Sequence, residues 1–523
     1  MSIFWLNRGG QQANRLLAFF YFVILIYLIN IAIYANFGVI DDHTLLSTLF
    51  VGKEIPLFIL PELGRFYPLD AQELNIISKI FGISASAFYI FNSIIAFVLI
   101  CCLYMALNHF LQHKIYSLFW ILLLLLTPSF ATAFLRLFVP EKLESVFFAI
   151  FIFSFIKFQD SNKFVFFILA LISANFALYY KEVAFIMLGG FCFFYMLFSY
   201  KKASKNLLSF LLLCSCVLWL VLYYVFVLAV KTSSGNYGDT PYNAIIVFLK
   251  NITNYALSEP FLFIGIFALI VFRFYLIVFR HFKINPILDS LMLASFLHSL
   301  AYFALNIYSF HYPLPAYIFG IIPLAFYFRE YLKYFFIKCI IALCVFIYIF
   351  NSFPAFVYQF NHYKAVPNNF ARTIDFLASY INENPHINIY LDGVNRASSG
   401  EVYHSFIKNL EFRGVSDFDM KSDLPIDNIL LGRADKTSTY SVFKSNDILQ
   451  KQSGDLVVWT PYSTINLDSS DYELLFYSAY GFNVPFFGIK SLLKSIIINH
   501  SKDLVLSDNV SMLPIHFSVY KVK

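Results

Sequence analysis

The chain is predicted to fold as a polytopic α-helical membrane protein of about eleven transmembrane helices, with a small C-terminal α/β extracytoplasmic domain. Composition is the first reason. Of its 523 residues, 60% are hydrophobic and 13% charged, with a mean hydropathy of +0.70, whereas soluble domains are about half apolar and about a quarter charged. Patterning is the second, because the apolar residues gather into runs near the ~20 residues that a helix needs to cross a bilayer. The third is a change of character near residue 354, beyond which the chain is polar, mixed in charge and free of long apolar runs. A transmembrane domain over 1–353 and an α/β domain over 354–523 follow. The spans must be helices, since the alternating pattern of a membrane barrel is absent and lipid offers the backbone no other partner.

Runs able to span lie at about 16–36, 80–108, 117–134, 143–157, 164–180, 183–199, 207–230, 259–280, 287–306, 313–328 and 334–353. The fourth and tenth are short for a span. The first is too long for a cleavable leader and lacks a small-residue cleavage site, so it reads as a retained signal anchor. Basic residues set the orientation. Arg8, Arg15, Lys114, Lys157, Lys163, Lys201, Lys202, Lys205, Arg273, Arg280, Lys283, Arg329, Lys333 and Lys338 crowd one set of short connections. Lys53, Arg65, Lys79, Arg136, Lys142, Lys181, Lys231 and Lys250 are spread through the longer connections of the other set. The denser set is expected on the cytoplasmic side. That places the N-terminus inside and the C-terminal domain outside, in an inner (plasma) membrane.

The net charge of +6 reflects basic loops and gives no case for nucleic-acid binding. Phe (66) and Tyr (36) are abundant, as suits lipid-facing and interfacial positions. The seven cysteines all lie inside apolar runs without metal-site spacing, and read as packing residues. In the C-terminal domain, 370–382 carries a helical pattern, 387–391, 455–460 and 515–521 read as strands, and 489–497 as a further helix. It contains no Gly-rich phosphate loop and no nucleophile elbow.

The outer loops hold the polar chemistry. The first, 37–79, contains Asp41, Asp42, His43, Glu62, Arg65, Tyr67, Asp70 and Glu73. The next ones contribute Arg136 with Pro140-Glu141-Lys142, then the tight turn Tyr179-Tyr180-Lys181-Glu182. A fourth carries Asn236-Tyr237-Gly238-Asp239 and an interfacial helix over 245–257, and a fifth reads Tyr308-Ser-Phe-His311-Tyr312-Pro313. Carboxylates and cations beside a bilayer are costly against lipid and useful around a wet, reactive cavity.

An acidic pair after the first span, Pro140-Glu141 opening the fourth helix, the Lys181-Glu182 turn and an aromatic-Pro loop near the last spans resemble the GT-C superfamily of integral-membrane glycosyltransferases. Its better-known members are the protein O-mannosyltransferases and the aminoarabinose transferase of lipid A. The likeness covers most of 1–353. It implies a polyprenyl-phosphate sugar donor and a hydroxyl acceptor on a glycan, glycolipid or protein, with inversion at the anomeric carbon. It also implies Asp41 as catalytic base, although Asp42 stands where some relatives carry Glu, which leaves both carboxylates as catalytic candidates.

The chemistry asks for the same groups independently. A sugar moved from a lipid phosphate to a hydroxyl needs a base for the hydroxyl proton, and fixed cations for the phosphate as its bond breaks. Arg65, Arg136, Lys142, Lys181 and, if protonated, His311 are the candidate cations, Arg matching phosphate oxygens in bidentate fashion and Lys acting as a point charge. Tyr67 and Tyr312 are candidate substrate contacts beside them. Glu141 and Glu182 would position the acceptor or pair with neighbouring cations. The spacing demands no cofactor, although a divalent metal bridging carboxylates and phosphate would be chemically compatible. A transporter or flippase, or a polymerase or ligase of lipid-linked glycans, is the alternative. A transporter would instead favour charges at the bilayer midplane.

Overall fold

The computed structural model of the chain describes residues 10–200, 206–232, 244–303, 305, 308–392, 399–421, 451–463, 470–484, 489 and 514–523. Arg8, Lys201, Lys202, Lys205, the 236–239 segment and all but Ile489 of the expected 489–497 helix lie outside these residues.

Seventeen α-helices are described. The first is α1 (Gly10–Ala32), followed by α2 (Asp42–Phe50), α3 (Gln72–Phe81), α4 (Ala85–Leu111), α5 (Lys114–Leu125), α6 (Pro128–Phe134) and α7 (Pro140–Ser161). Then come α8 (Phe164–Leu178), α9 (Ala184–Phe198), α10 (Leu207–Tyr223), α11 (Ala244–Ser258), α12 (Ile266–Arg280) and α13 (Pro286–Phe303). The last are α14 (Leu314–Tyr331), α15 (Phe335–Ile347), α16 (Phe353–Glu383) and α17 (Ser399–Glu411). Each of the eleven predicted runs contains a helix. Among the described residues, however, six helices are long and apolar enough to cross a membrane, or seven if the bent pair α5–α6 is one span. The shortfall has visible causes: α8 and α9 have only 15 residues each, and α7 opens on Glu141, Lys142 and Glu144.

Sequence periodicity explains which faces pack. On α1, Ile24, Tyr27, Leu28 and Ile31 are buried while Phe19, Phe22, Leu25 and Ile29 are exposed, the 3.6-residue stripe of a helix with one protein face and one lipid face. Tyr27 stacks on Phe356 of α16 and meets Phe130 of α6 edge-on. The 67° bend between α5 and α6 falls at Thr127-Pro128. Pro cannot continue the hydrogen-bond ladder, and Thr127 Oγ1 caps the new helix by accepting from the Phe130 N–H at 3.2 Å. This turn delivers the chain to Arg136.

The small hairpin β1 (Ile59–Leu60) and β2 (Arg65–Phe66) lies in the loop after α2. The C-terminal sheet comprises β3 (Ile387–Asp392), β4 (Phe418–Lys421), β5 (Leu456–Trp459), β6 (Tyr472–Tyr477) and β7 (Ser518–Val522), in the order β4-β3-β5-β7-β6. β3 is parallel to β4 and β5, and β7 is antiparallel to β5 and β6. The predicted strands near 387, 455 and 515 are present, while β4, β6 and α17 are additions to the reading.

The predicted helix over 370–382 is the far end of α16, which continues unbroken through Pro367 from the last span. Phe356 of α16 belongs to the core of the helical bundle. Further along, Phe370, Ile374, Leu377 and Ile381 pack with Val402, Phe406 and Leu410 of α17 on the sheet. Val39, two residues before Asp41, is buried in that same C-terminal core.

Candidate active site

The loop that carries the acidic pair is fixed from both ends. Lys364 Nζ of α16 donates to the carbonyls of Ile31 and Ile33, and Asn368 Nδ2 to that of Tyr34, satisfying acceptors that the end of α1 leaves open. At the other end α2 packs on α17, with Phe50 stacked on Phe412 at 3.9 Å and His43 Nε2 3.1 Å from Glu401 Oε2. Between these anchors Asp41 is held at φ 73°, ψ −47°, a conformation uncommon and costly for a residue with a side chain. It stands at the N-cap of α2 but its carboxylate does not cap the helix. It reaches Arg136 instead, accepting from Nη2 at 2.6 Å. The helix-cap role open to such an Asp is therefore not the one it plays.

Around Asp41 opens a cavity of about 560 Å³. Asp41, Arg65, Tyr67, Arg136, Lys181, His311 and Tyr312 all line it. The remaining sequence candidates stand elsewhere. Glu182 pairs with Arg65 (Nε–Oε1 2.5 Å) and also accepts from the Phe66 N–H at 3.2 Å. Glu141, fully buried, lies 2.9 Å from Lys181 Nζ and 3.7 Å from His311 Nε2. Of the two roles open to these glutamates, the geometry shows the pairing one: they hold the cations from behind. Lys142 neither snorkels to the interface nor enters the cavity. It is buried, donates to the Leu137 carbonyl at 2.5 Å, and faces the charges of Glu73 and Asp70. Asp42 also lies outside this cavity and lines a second one of about 220 Å³ on the other side of Arg136.

Electrostatics sharpen the roles. Burial pushes the His311 pKa down to about 3, outweighing Glu141, so the ring is a neutral hydrogen-bonding group, its Nδ1 2.8 Å from Ser309 Oγ. It is not the cation that protonation would have made it. The fixed positive charges are Arg65, Arg136 and Lys181. Tyr67 takes Arg65 over its ring at 4.5 Å and Lys181 at 5.9 Å, while Tyr312 takes Lys181 at 5.3 Å, contacts that orient both cations toward the open space. Asp42 is raised to about 6 by burial, the Asp41 charge adding to the rise while the Gly38 N–H, Arg136 and Lys142 oppose it.

Several lining residues have no role assigned from the sequence, although Asp70 is among the polar residues of the first outer loop. Asp70 borders the larger cavity, is 2% exposed and has one oxygen without a hydrogen-bond partner among the described residues. Burial, then the neighbouring Glu73, raises its pKa well above the carboxylate range. The smaller cavity takes His362 and Tyr363 from α16 and Tyr462 from beyond β5, more than 300 positions from Asp42, where no local motif could announce them. Among the described residues, no group of three or more His, Cys, Asp or Glu is arranged to hold a metal ion.

No family model and no curated protein matches the chain. Among solved structures it is similar to ArnT from Cupriavidus metallidurans. The form bound to undecaprenyl phosphate is 12% identical, covers 85% of this chain and 93% of its own, and has a TM-score of 0.47. The apo form is likewise 12% identical, covering 86% and 94%, at the same TM-score of 0.47.

Proposed function

We propose that the chain is a membrane glycosyltransferase that moves a sugar from a polyprenyl-phosphate donor to a hydroxyl acceptor, on the outer face of an inner (plasma) membrane. The observation that carries this reading is the convergence of Arg65, Arg136 and Lys181 on one cavity beside the Asp41 carboxylate. Three cations lining one space favour an anion there, and their carboxylate partners, Glu182 for Arg65, Asp41 for Arg136 and the buried Glu141 for Lys181, keep them charged and in place. In a chain built of membrane helices, a lipid phosphate is an anion that reaches such a site from the bilayer. Tyr67 and Tyr312, whose rings carry Arg65 and Lys181, border the same space and would meet the sugar at their edges. As the sugar–phosphate bond breaks, charge grows on phosphate oxygens that the cations already face, which lowers the barrier without further reorganisation. One of the two adjacent carboxylates takes the acceptor proton. We further propose that the N-terminus is cytoplasmic, that 354–523 form an extracytoplasmic domain recognising the acceptor, and that no cofactor takes part.

Purified protein in nanodiscs, given radiolabelled polyprenyl-phosphate sugars and a crude envelope extract, should transfer label into the extract. Arg65→Ala and Lys181→Ala should each bind the donor more weakly. Donor binding without turnover in the wild type, under all donor and acceptor combinations, would favour a transporter or flippase instead.

A further inference from the structure

The smaller cavity shares Arg136 with the larger one and has the makings of a site in its own right. Six of its walls matter: Asp42, Tyr89, Arg136, His362, Tyr363 and Tyr462. They are contributed by the first residue of α2, by α4, by the α6–α7 connection, by α16 and by the C-terminal sheet domain. Asp42 is 4% and His362 9% exposed. His362 Nδ1 has no hydrogen-bond partner among the described residues, an omission that normally costs free energy and that a ligand hydroxyl would repair. Aromatic faces combined with a few placed polar groups in a concave space suit a hydroxyl-rich ring. At about 220 Å³ the chamber is far smaller than its neighbour and has no room for a lipid chain. Arg136 is shared by both cavities, so groups bound in the two would meet across its guanidinium.

We propose that this chamber is the acceptor subsite, taking a hydroxyl-bearing sugar residue, and that Asp42 rather than Asp41 receives the hydroxyl proton. The inference rests on the transferase reading above. Asp41 is committed to Arg136, whose Nη2 stands 2.6 Å from Asp41 Oδ2, and it does not line the chamber. Asp42 faces the chamber with one oxygen held by the Gly38 N–H at 2.7 Å, and no other hydrogen bond to its carboxylate is formed among the described residues. Its upward-shifted pKa brings it nearer to working pH, as a general base requires. Gly38 is part of the fit, because a Cβ there would stand 3.2 Å from Asp42 Oδ2. In the reaction the acceptor oxygen bonds to the anomeric carbon as its proton passes to Asp42. The bond from that carbon to the phosphate oxygen breaks, and its electron pair leaves with the lipid phosphate.

The test uses radiolabelled undecaprenyl-phosphate sugar as donor, with two acceptor probes: an envelope glycolipid extract and the oligosaccharides released from it. Donor binding is measured apart from transfer. Asp42→Asn should lower kcat by about 10²–10⁴-fold with donor binding retained. Tyr462→Trp, which fills the chamber, should raise the acceptor KM by roughly tenfold or more and leave the donor KM unchanged. Equal effects with both probes would place the recognition in the sugar, and effects confined to the extract would overturn the chamber as a sugar site. Wild-type transfer that survives Asp42→Asn, or an acceptor KM unmoved by Tyr462→Trp, would overturn this inference alone. Wild-type protein inert with every probe would overturn the transferase reading and this one with it.

Discussion

Arg136 and Arg273 are both ion-paired arginines in this chain, and they are used in opposite ways. Arg273, 3% exposed on α12, gives Nε and Nη2 to Asp289 at 3.0 and 2.6 Å, Nη1 to Tyr331 at 2.8 Å and Nη2 again to the Lys283 carbonyl. Asp289 also accepts from Tyr327 and from the Asn285 N–H. Every strong donor direction is filled by protein, and the cluster ties α12, α13 and α14 together. Arg136 makes one guanidinium hydrogen bond among the described residues, to Asp41, and turns the rest of its fork to two cavities. A guanidinium carries five N–H donors in a rigid fork. Where protein fills them the residue is a clamp, and where a cavity adjoins them donors are left that protein does not use.

The largest effects should separate these two arginines. Arg273→Ala leaves Asp289 buried without its counter-ion and should destabilise the fold by about 3–5 kcal/mol, with activity per folded molecule unchanged. Arg136→Ala should lower kcat/KM by about 10²–10³-fold, the scale of losing one fixed donor to a developing charge, with a much smaller change in unfolding temperature. Thermal unfolding in detergent and transfer rates on the same preparations check both. The reverse assignment of effects would make Arg136 the clamp.

A smaller effect sharpens the contrast at Lys181. Glu141→Gln removes the buried counter-ion of Lys181, so the ligand-free protein should lose roughly 3 kcal/mol of stability. If Lys181 is a ligand-binding cation, an anion in the cavity replaces the missing charge. Added undecaprenyl phosphate should then raise the unfolding temperature of Glu141→Gln more than that of the wild type, through the usual linkage of binding to stability. An equal rise in both would place Lys181 with the clamps.

The two arginines also show what was legible in the sequence. Long apolar runs foretold the helices, because lipid leaves the backbone no alternative. Local spacing between those runs brought Arg65, Tyr67, Arg136, Lys181, His311 and Tyr312 to one side, and the larger cavity collects them all. What stayed hidden depends on contacts across the chain. Nothing near Glu141 or Glu182 says that each faces a cation rather than a substrate, and nothing near His362 or Tyr462 points to Asp42. The continuity of α16 was masked by Pro367 and a polar Asn-rich stretch that reads as a break. β4 has only four residues and β6 a mostly half-exposed pattern, too little periodicity to declare a strand.

The acidic pair carries the same lesson at the smallest scale, and its test concerns stability. Asp41 pairs with a cation, while Asp42 is buried with its carboxyl raised from the ordinary 3.8 to about 6. A carboxyl raised on folding binds its proton more tightly in the folded chain. Its contribution is therefore full at low pH and is lost as pH rises from about 3.8 to about 6. At pH 7 the folded chain bears the cost of a buried charge, about 1–3 kcal/mol at one pKa unit per 1.36 kcal/mol. Asp42→Asn keeps an oxygen for the Gly38 N–H and removes that charge. It should raise the unfolding temperature at pH 7 by a few degrees, and the gain should vanish by about pH 4, where Asp42 itself is neutral. Asp41→Asn, which unpairs Arg136, should show no such gain at pH 7. A variant that stabilises the fold at neutral pH while abolishing transfer would mark Asp42 as a charge kept for chemistry against the interest of the fold. A loss of stability at pH 7 would mean that its carboxylate is held by more than the Gly38 N–H, and would shift the base assignment back to Asp41.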